Sequence, residues 1–472
     1  MLVVVLLVVV AVVALLAGVH WYVWRRLVRD TTAPGGMARR VGTTAVWVLP
    51  LLSVGALVSG RAGAPFWVQR VVAWPGYLWL AVLLYLVLGL VVGEAVRPVL
   101  RGVLGRREAR RAGASGPQDP AVGFAAVPGT DRPAAVGAAA QDPAATAATA
   151  DNPLAVAATA TEVSAAPDAG VLRTDTGSAA AAAGSAARTE DLAGARPGVS
   201  RRMFVSRIVG GSAAAVALGT VGYGTYGVLR GPRVKRVTVP LARLPRAAHG
   251  FRIAVVSDIH LGPILGRAHT QRIVDIINAT SPDLVAVVGD LVDGSVADLG
   301  PAAEPLAQLE ARHGAFFVTG NHEYFSGAEA WVEHVRELGL HPLRNERVEI
   351  GGFDLAGVND VAGESEGDGP DFAKALGDRD RSRASVLLAH QPVVIHDAVE
   401  HGVDLQLSGH THGGQLWPGN HLAALANPTV AGLERYGDTQ LYVTRGAGAW
   451  GPPVRVGAPS DITVVELASR TA

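Results

Sequence analysis

The sequence predicts an α/β domain in the C-terminal half of this 472-residue chain, preceded by N-terminal transmembrane helices. Short apolar and β-branched runs recur from about Val234 onward, and helical patterns such as His269–Ala279 and Ala328–Leu338 lie between several of them. The first half instead contains apolar stretches that are long enough to cross a bilayer. These two patterns predict a membrane region followed by a folded domain.

Composition narrows the chemistry that this chain can perform. Hydrophobic residues make up 49% of the chain and charged residues 17%, which favours a protein with membrane spans. The formal net charge is zero, so no global field indicates nucleic acid as a partner. The chain contains no cysteine, which excludes disulfides, thiolate nucleophiles and cysteine-held metals. Any metal ligand must therefore be His, Asp, Glu or Asn.

Four apolar stretches predict membrane helices, at Leu2–Trp24, about Thr43–Ser59, about Val71–Gly93 and about Ile208–Leu229. The second is the shortest and the fourth is the poorest in leucine. A cleaved signal peptide is the alternative for the first stretch. Arg25 and Arg26 follow that stretch, where a stop-transfer signal would lie, and no basic region precedes it, so we favour a retained span.

Basic flanks predict the orientation of these spans. Arginines crowd the connections after the first and third stretches and also precede the fourth. The positive-inside rule places those arginines in the cytoplasm, so the N-terminus and everything after Arg230 face outward. The run Ser200–Phe204 fits a twin-arginine export signal and the basic flank of a plain anchor equally well. Both interpretations give the same multi-pass topology in the cell membrane, with the C-terminal domain extracytoplasmic.

The chain therefore divides into four predicted regions. A membrane region with three spans is expected at 1–111, an Ala/Pro/Gly-rich disordered linker at 112–199, a fourth span with a twin-arginine-like flank at 200–230, and a folded domain at 234–472. The linker is predicted to be disordered because it has too little apolar surface to offset the entropy lost on ordering.

Metal-capable side chains follow the ends of five predicted strands. The strands that lead to them are Arg252–Ser257, Leu284–Val288, Ala315–Thr319, Val386–Leu388 and Leu405–Leu407, and two more are predicted at Leu441–Thr444 and Ile462–Leu467. Ligands collect at the carboxyl ends of strands in open α/β sheets, where side chains from separate strands converge. The sequence therefore predicts one site at this edge.

The residues at these ends form a mixed oxygen and nitrogen set: Asp258, His260, Asp290, Asn321, His390, His410 and His412. Such a set without sulfur suits Mn, Fe, Zn or Co. Seven side chains exceed the need of one ion, whereas two ions about 3.5–4 Å apart with a bridging carboxylate would use them all. Such a pair polarises a phosphoryl group and supplies hydroxide near neutral pH.

Five motifs carry a family resemblance: Asp258-x-His260, Gly289-Asp290-x-x-Asp293, Gly320-Asn321-His322-Glu323, His390 and Gly409-His410-x-His412. In this order they resemble the motifs of the calcineurin-like metallophosphoesterase family. The segments Gly413–Gln415 and Arg445–Ile462 look closest to its membrane-associated bacterial branch, which includes phosphodiesterases and relatives of the enzyme that cleaves UDP-diacylglucosamine. The resemblance implies a calcineurin-like four-layer α/β/β/α sandwich from about Val234 to Leu467.

The resemblance also implies a role for each motif residue. One metal would lie on Asp258, His260, Asp290 and His412, and the second on Asp290, Asn321, His390 and His410, with Asp290 bridging. His322 would be a catalytic residue that is not a metal ligand, stabilising the phosphate or protonating the leaving alkoxide. The family often has Asp where this chain has Glu323, which we expect to orient the His322 loop.

Other polar and aromatic residues have weaker signals. We expect Asp293 to form a cap or a local hydrogen bond, and Asn359 and Asp360 to form a plain turn in preference to supporting the site. Trp417 and Trp450 are assigned a packing role or a contact with a lipid or sugar. The histidines outside the motifs are expected to be structural: His269, His313, His334, His341, His396, His401 and His421.

Three functions follow from these patterns. The favoured one is a membrane-anchored phosphoesterase in which a metal-bridging hydroxide attacks a phosphodiester or pyrophosphate bond of a lipid or cell-envelope substrate. Because this preference depends on the membrane tether and the family branch, the substrate is an association. The alternative is a non-catalytic metal-binding envelope sensor or scaffold, which would have no need for His322. A transporter ranks last, because the predicted spans lack the charged residues of an ion path.

Overall fold

The structure, a computed structural model, describes residues 2–114 and 201–470. Two compact units divide the chain, one containing residues 1–109 and 199–472 and the other residues 110–198. Of the second unit only residues 110–114 are described. The predicted linker at 112–199 therefore lies outside the described residues, apart from 112–114, which belong to a helix.

Four long apolar helices form the N-terminal part of the described chain: α1 Leu2–Val23, α2 Met37–Val58, α3 Phe66–Ala114 and α4 Arg201–Leu229. All four are long and apolar enough to cross a membrane. A π-helical turn, Trp24–Arg29, continues α1. Helix α3 extends well beyond the predicted end of the third span at Gly93 and contains Pro75 and Pro98.

Twelve strands form two six-stranded sheets in the described part of the chain. The first has the order β1-β12-β2-β3-β4-β5 and the second β10-β11-β9-β8-β7-β6. The strands are β1 Arg233–Leu241, β2 Phe251–Val256, β3 Leu284–Val288, β4 Ala315–Val318, β5 His341–Pro342, β6 Glu346–Ile350, β7 Phe353–Gly357, β8 Ala384–Leu388, β9 Leu405–Ser408, β10 Gly432–Tyr436, β11 Thr439–Val443 and β12 Asp461–Ser469.

Seven shorter helices connect these strands: α5 Arg267–Ala279, α6 Val296–Ala303, α7 Asn321–Ser326, α8 Ala328–Glu337, α9 Phe372–Leu376, α10 Ile395–Glu400 and α11 Gly419–Ala426. Helices α5 and α8 are amphipathic. Their apolar positions recur at helical spacing and are buried, as Ile273, Ile277 and Trp331 illustrate. This pattern explains why both helices could be predicted from the sequence.

The two sheets face each other across one apolar core. Residues of both inner faces meet there, among them Ile253 of β2, Leu355 of β7 and Val386 of β8. A second core lies between the first sheet and helices α5, α6 and α8, and a third between the second sheet and helices α9 and α10. The layers are therefore helix, sheet, sheet and helix, which confirms the predicted four-layer α/β/β/α fold.

Strand direction determines where the site forms. Strands β2, β3 and β4 are parallel neighbours in the first sheet, and β8 and β9 are parallel neighbours in the second. Their carboxyl ends therefore lie at shared sheet edges, and the loops that follow them approach each other. Apart from the half-buried Arg252 of β2, all five strands are buried along their length, which fits their apolar runs.

The apolar helices pack against the sandwich. Val454 is fully buried among residues of α3 and α4, including Trp79 and Ala217. The hydroxyl of Tyr85 donates a hydrogen bond to the backbone oxygen of Trp417 at 2.9 Å. Phe66, at the start of α3, contacts the core between the first sheet and its helices. The C-terminal domain and the apolar helices are thus packed against each other.

Candidate metal centre

The loops that follow β2, β3, β4, β8 and β9 bring all seven predicted ligand side chains into two adjoining groups. One group contains Asp258, His260 and His412, and the other Asp290, His390 and His410. Within each group one potential ligand atom of every residue lies within 4.8 Å of the others. Asn321 adjoins the second group through His410, whose Nδ1 is 3.1 Å from Asn321 Oδ1. The predicted convergence is therefore present.

The first group is closely spaced. The Nε2 atoms of His260 and His412 are 3.0 Å apart, and His412 Nε2 is 3.4 Å from Asp258 Oδ1. Asp258 is fully buried, and its carboxylate accepts hydrogen bonds from the backbone N–H of His410 at 3.0 and 3.1 Å. These bonds join the loop after β2 in the first sheet to the loop after β9 in the second sheet. Ligands from both sheets therefore meet in one group.

Asp290 lies between the two groups. Its Oδ2 is 3.2 Å from His390 Nε2 and 3.7 Å from His260 Nε2, and its Oδ1 accepts the backbone N–H of His322 at 2.9 Å. A carboxylate in this position can contribute to both groups at once. The geometry therefore suits the bridging role that the motif resemblance implies for Asp290.

Asp293 connects His260 and His322. Its Oδ1 is 2.9 Å from His260 Nδ1 and 2.6 Å from His322 Nδ1. The partners of Asp293 are therefore two side chains of the site, distant in sequence, and not the cap or local hydrogen bond that the sequence led us to expect. By accepting both Nδ1–H groups, Asp293 leaves the Nε2 atoms of His260 and His322 facing inward.

Glu323 holds two site loops together. It is fully buried, and its carboxylate accepts the backbone N–H groups of Asp290, Leu291 and Gly320 at 2.9, 2.8 and 2.6 Å. These bonds link the loop after β3 to the start of α7, which carries His322. The expected orienting role fits this geometry, and the longer Glu side chain reaches all three donors.

The backbone of the site is strained in a way that points to function. Five of the seven predicted ligands have a positive φ, between 49° and 70°. Non-glycine residues rarely occupy this region, and such outliers cluster at functional sites. At Gly409 a Cβ atom would overlap Ser257 Oγ and Asp258 Oδ2, so the loop after β9 can approach the loop after β2 only with glycine.

Buried charge dominates the electrostatics of the site. Burial opposes the charge on His260, but the carboxylates of Asp293, Asp290 and Asp258 outweigh it and raise its pKa to about 9. Burial likewise opposes ionisation of Asp293, yet His260 and His322 lower its pKa to about 2. Burial and the Asp290 carboxylate together raise the pKa of Glu323 to about 7. The site thus concentrates negative charge that cations would neutralise.

These residues fit divalent metal ions. His390 Nδ1 is 2.9 Å from the Val288 backbone oxygen, to which it donates. Its buried Nε2 lies 3.2 Å from Asp290 Oδ2 but lacks hydrogen-bond geometry to any partner in the described structure. A buried nitrogen of this kind is costly unless a ligand occupies it. The oxygen and imidazole donors match the preferences of Mn, Fe, Zn and Co and do not distinguish among them.

Arg455 contacts His412 of the first group and holds it in place. Its guanidinium is buried and lies 3.0 Å from His412 Nδ1, and it donates to the backbone oxygens of His412 and Gly448 at 2.9 and 2.6 Å. Burial lowers the pKa of Arg455 to about 10. Arg455 belongs to the segment Arg445–Ile462 that carries the branch resemblance, but its contact with His412 forms only in the folded chain.

A cavity of about 550 Å³ opens beside the site. His260, Asp293, His322 and Trp450 line one side, and the ends of α2 and α3 with their connection, residues 59–65, line the other. The ring centroids of Trp450 and His322 are 5.7 Å apart, so this tryptophan lies at the site. Trp417 does not line the cavity and is half exposed.

The remaining expectations concern residues away from the two groups. Asn359 and Asp360 are buried and begin a short 3₁₀ helix, where Asp360 accepts the Ala362 N–H and a bond from Gln391. The plain turn expected there is therefore an ordered, hydrogen-bonded one. None of the seven histidines expected to be structural belongs to a described metal-capable group.

Fold and site together define a domain of the metallophosphoesterase class. Residues 251–414 match the calcineurin-like phosphoesterase family. A "Transmembrane protein with metallophosphoesterase domain" from Danio rerio is 40% identical over 259 residues, which cover 52% of this chain and 59% of that protein. The match thus spans less than two thirds of that relative.

Bacterial relatives are similar over the same region. An "Uncharacterized metallophosphoesterase" from Helicobacter pylori strain J99 is 40% identical over 53% of this chain and 68% of its own length. A protein of the same description from Aquifex aeolicus is 34% identical over 50% of this chain and 91% of its own length. The chain belongs to the calcineurin-like metallophosphoesterase family.

Proposed function

We propose that this protein is a membrane-anchored two-metal phosphoesterase that hydrolyses a phosphodiester or pyrophosphate bond of a lipid or cell-envelope substrate. The observation that carries the proposal is the 550 Å³ cavity, because it brings His260 and His322 of the site together with the ends of two apolar helices. A substrate in this cavity would place its phosphoryl group beside His260 and His322 while its apolar part contacts Phe66 and Tyr77.

The proposal assigns the metals to the two groups with Asp290 as the shared ligand. Asp258, His260, Asp290 and His412 would hold one ion, and Asp290, Asn321, His390 and His410 the other. When bound, such a pair would polarise the phosphoryl group and activate water for attack near neutral pH.

His322 is the proposed proton donor. Asp293 accepts its Nδ1–H, its Nε2 lies 3.9 Å from Asp290 Oδ2, and the residue lines the cavity. A proton on this Nε2 would stabilise the developing charge or pass to the leaving alkoxide. Trp450 packs against the ring and restricts its orientation.

The proposed location is the cell membrane, crossed several times, with the catalytic domain extracytoplasmic. The support is the segregation of charge along the helices. The arginine-rich flanks of α1, α3 and α4 meet at one place, where Arg26 contacts Glu94 and Arg207 contacts the Thr31 backbone oxygen. Basic flanks of this kind favour the cytoplasmic side.

The test is hydrolysis by the full chain in detergent, supplied with Mn²⁺, Fe²⁺ or Zn²⁺ and given a chromogenic phosphodiester. We expect His322→Ala to lower turnover by about 10²–10⁴-fold while metal content stays unchanged, because His322 acts on the proton and not on the metal. His421→Ala, at an exposed histidine outside the site, is the matched control. A folded, metal-loaded protein without hydrolysis under any of these metals would instead support the scaffold alternative.

A further inference from the structure

A second cavity lies among the arginine-rich ends of the apolar helices. It has a volume of about 360 Å³ and is lined by Arg26, Glu94, Arg97, Pro98, Arg101 and Arg202. Three chain segments contribute, namely the π-helical turn after α1, the later part of α3 and the start of α4. We call it the arginine cavity. Its lining carries four guanidinium groups and a single carboxylate.

The one carboxylate of the arginine cavity is already occupied. Glu94 accepts a hydrogen bond from Arg26 at 2.8 Å and another from the Tyr22 hydroxyl at 3.1 Å. Arg97 comes no closer to it than 3.4 Å, without hydrogen-bond geometry. Arg26 also pairs with Asp30 at 3.2 Å, outside the cavity lining. The four arginines still outnumber these two carboxylates, so the arginine cavity keeps a net positive charge.

Arg97 is the most unusual residue of the arginine cavity. Its side chain is only 3% exposed, and none of its three guanidinium nitrogens has a hydrogen-bond partner in the described structure. A buried guanidinium without acceptors is strongly unfavourable, so such a group normally faces an anion. The sequence had placed the end of the third span at Gly93 and expected no charge within it. The helix instead continues and buries Arg97 one turn later.

We propose that the arginine cavity binds the phosphate group of an anionic ligand. Guanidinium groups match phosphate oxygens in geometry and charge, and Arg97, Arg101 and Arg202 supply donors from two helices. A phospholipid headgroup and free phosphate share this chemistry. The location at the ends of apolar helices favours the headgroup.

The arginine cavity is separate from the catalytic site. Tyr85 is the α3 residue that donates to the catalytic domain, and Arg97 lies about 18 Å of helix beyond it. On α4, Gly224 packs against Val454 and Arg455, and Arg202 lies about 33 Å of helix before it. Binding there can therefore be measured without catalysis.

The experiment uses the full chain in detergent with EDTA, so that no metal-bound phosphate contributes. Short-chain phosphatidic acid, short-chain phosphatidylcholine and inorganic phosphate are titrated, and the unfolding temperature reports binding. We expect phosphatidic acid to raise the unfolding temperature in a saturable way, with an affinity about tenfold weaker in Arg97→Gln. The affinity should be unchanged in Arg107→Gln, which alters an exposed arginine of α3 outside the cavity. Arg101→Gln gives the same comparison if Arg97→Gln does not fold.

The three titrated compounds distinguish a phospholipid headgroup from free phosphate as the ligand. Stabilisation by inorganic phosphate with the same dependence on Arg97 or Arg101 would identify free phosphate as the ligand and would still support the site. Equal effects of phosphatidic acid and phosphatidylcholine, or equal affinity in Arg97→Gln, Arg101→Gln and Arg107→Gln, would overturn the proposal.

Discussion

Arg455 shows how a single residue can stabilise a metal centre without being a ligand. It contacts His412 through both the imidazole Nδ1 and the backbone oxygen, and it also donates to Gly448 and Arg445. The His412 ring is thereby fixed with its Nε2 toward Asp258. Partners of this kind orient ligands and tune their affinity.

We predict that Arg455→Gln weakens metal binding at the Asp258, His260 and His412 group by about 10–100-fold, because His412 loses its fixed orientation. The measurement is Mn²⁺ titration of the folded full chain. Arg435→Gln, at a half-exposed arginine on β10, serves as the control and should bind normally. Unaltered affinity in folded Arg455→Gln would show that the arginine only packs.

The seven ligand candidates could be predicted because each follows an apolar run that ends at a common sheet edge. That reasoning needs only strand direction and the chemistry of the side chains. The supporting residues Asp293 and Arg455 could not be assigned in the same way. Their partners, such as His322 and His412, are distant in sequence, so only the folded chain shows the contacts.

At the scale of elements, the connection between α2 and α3 is the part of the apolar region that reaches the catalytic site. Residues 60, 61 and 63–65 line the 550 Å³ cavity together with His260 and His322. Arg61 is its one charged residue, and its side chain is exposed. A cation on the wall of this cavity suits the charged part of a membrane-associated substrate.

We predict that Arg61→Gln lowers kcat/KM for a phospholipid diester by about tenfold but leaves hydrolysis of a small chromogenic diester unchanged, since the small substrate does not extend to the connection. Both substrates are assayed in the same detergent preparation. Arg70→Gln, an exposed arginine of α3 outside the cavity, is the matched control. Equal losses on both substrates would argue against a role in recognising the larger one.

Central strands could be predicted, whereas several edge strands were missed. β2, β3 and β8 are apolar throughout or nearly so and are buried on both faces, which produces a clear sequence signal. β1 and β10 lie at sheet edges and expose charged residues, as edge strands commonly do. Their sequences therefore resemble loops. Helix α3 was predicted too short because arginine, leucine and alanine after Gly93 still favour helix.

For the whole molecule, the orientation of the catalytic domain decides which substrates it meets. We predict that alkaline phosphatase fused at the C-terminus is active and that a fluorescent protein inserted in the segment 115–200 is fluorescent in the cytoplasm, because basic flanks stay inside. Fusions are compared in bacteria at equal expression. A cytoplasmic C-terminus would contradict the proposed topology and redirect the substrate search inward.

The central claim is a pair of cations sharing Asp290, and the metal content and electron paramagnetic resonance spectrum of the Mn²⁺-loaded full chain test it most directly. The account predicts two ions per chain with an exchange-coupled signal, because the Asp258 and His390 groups adjoin through one carboxylate. A single ion per chain, or two ions without magnetic coupling, would contradict it.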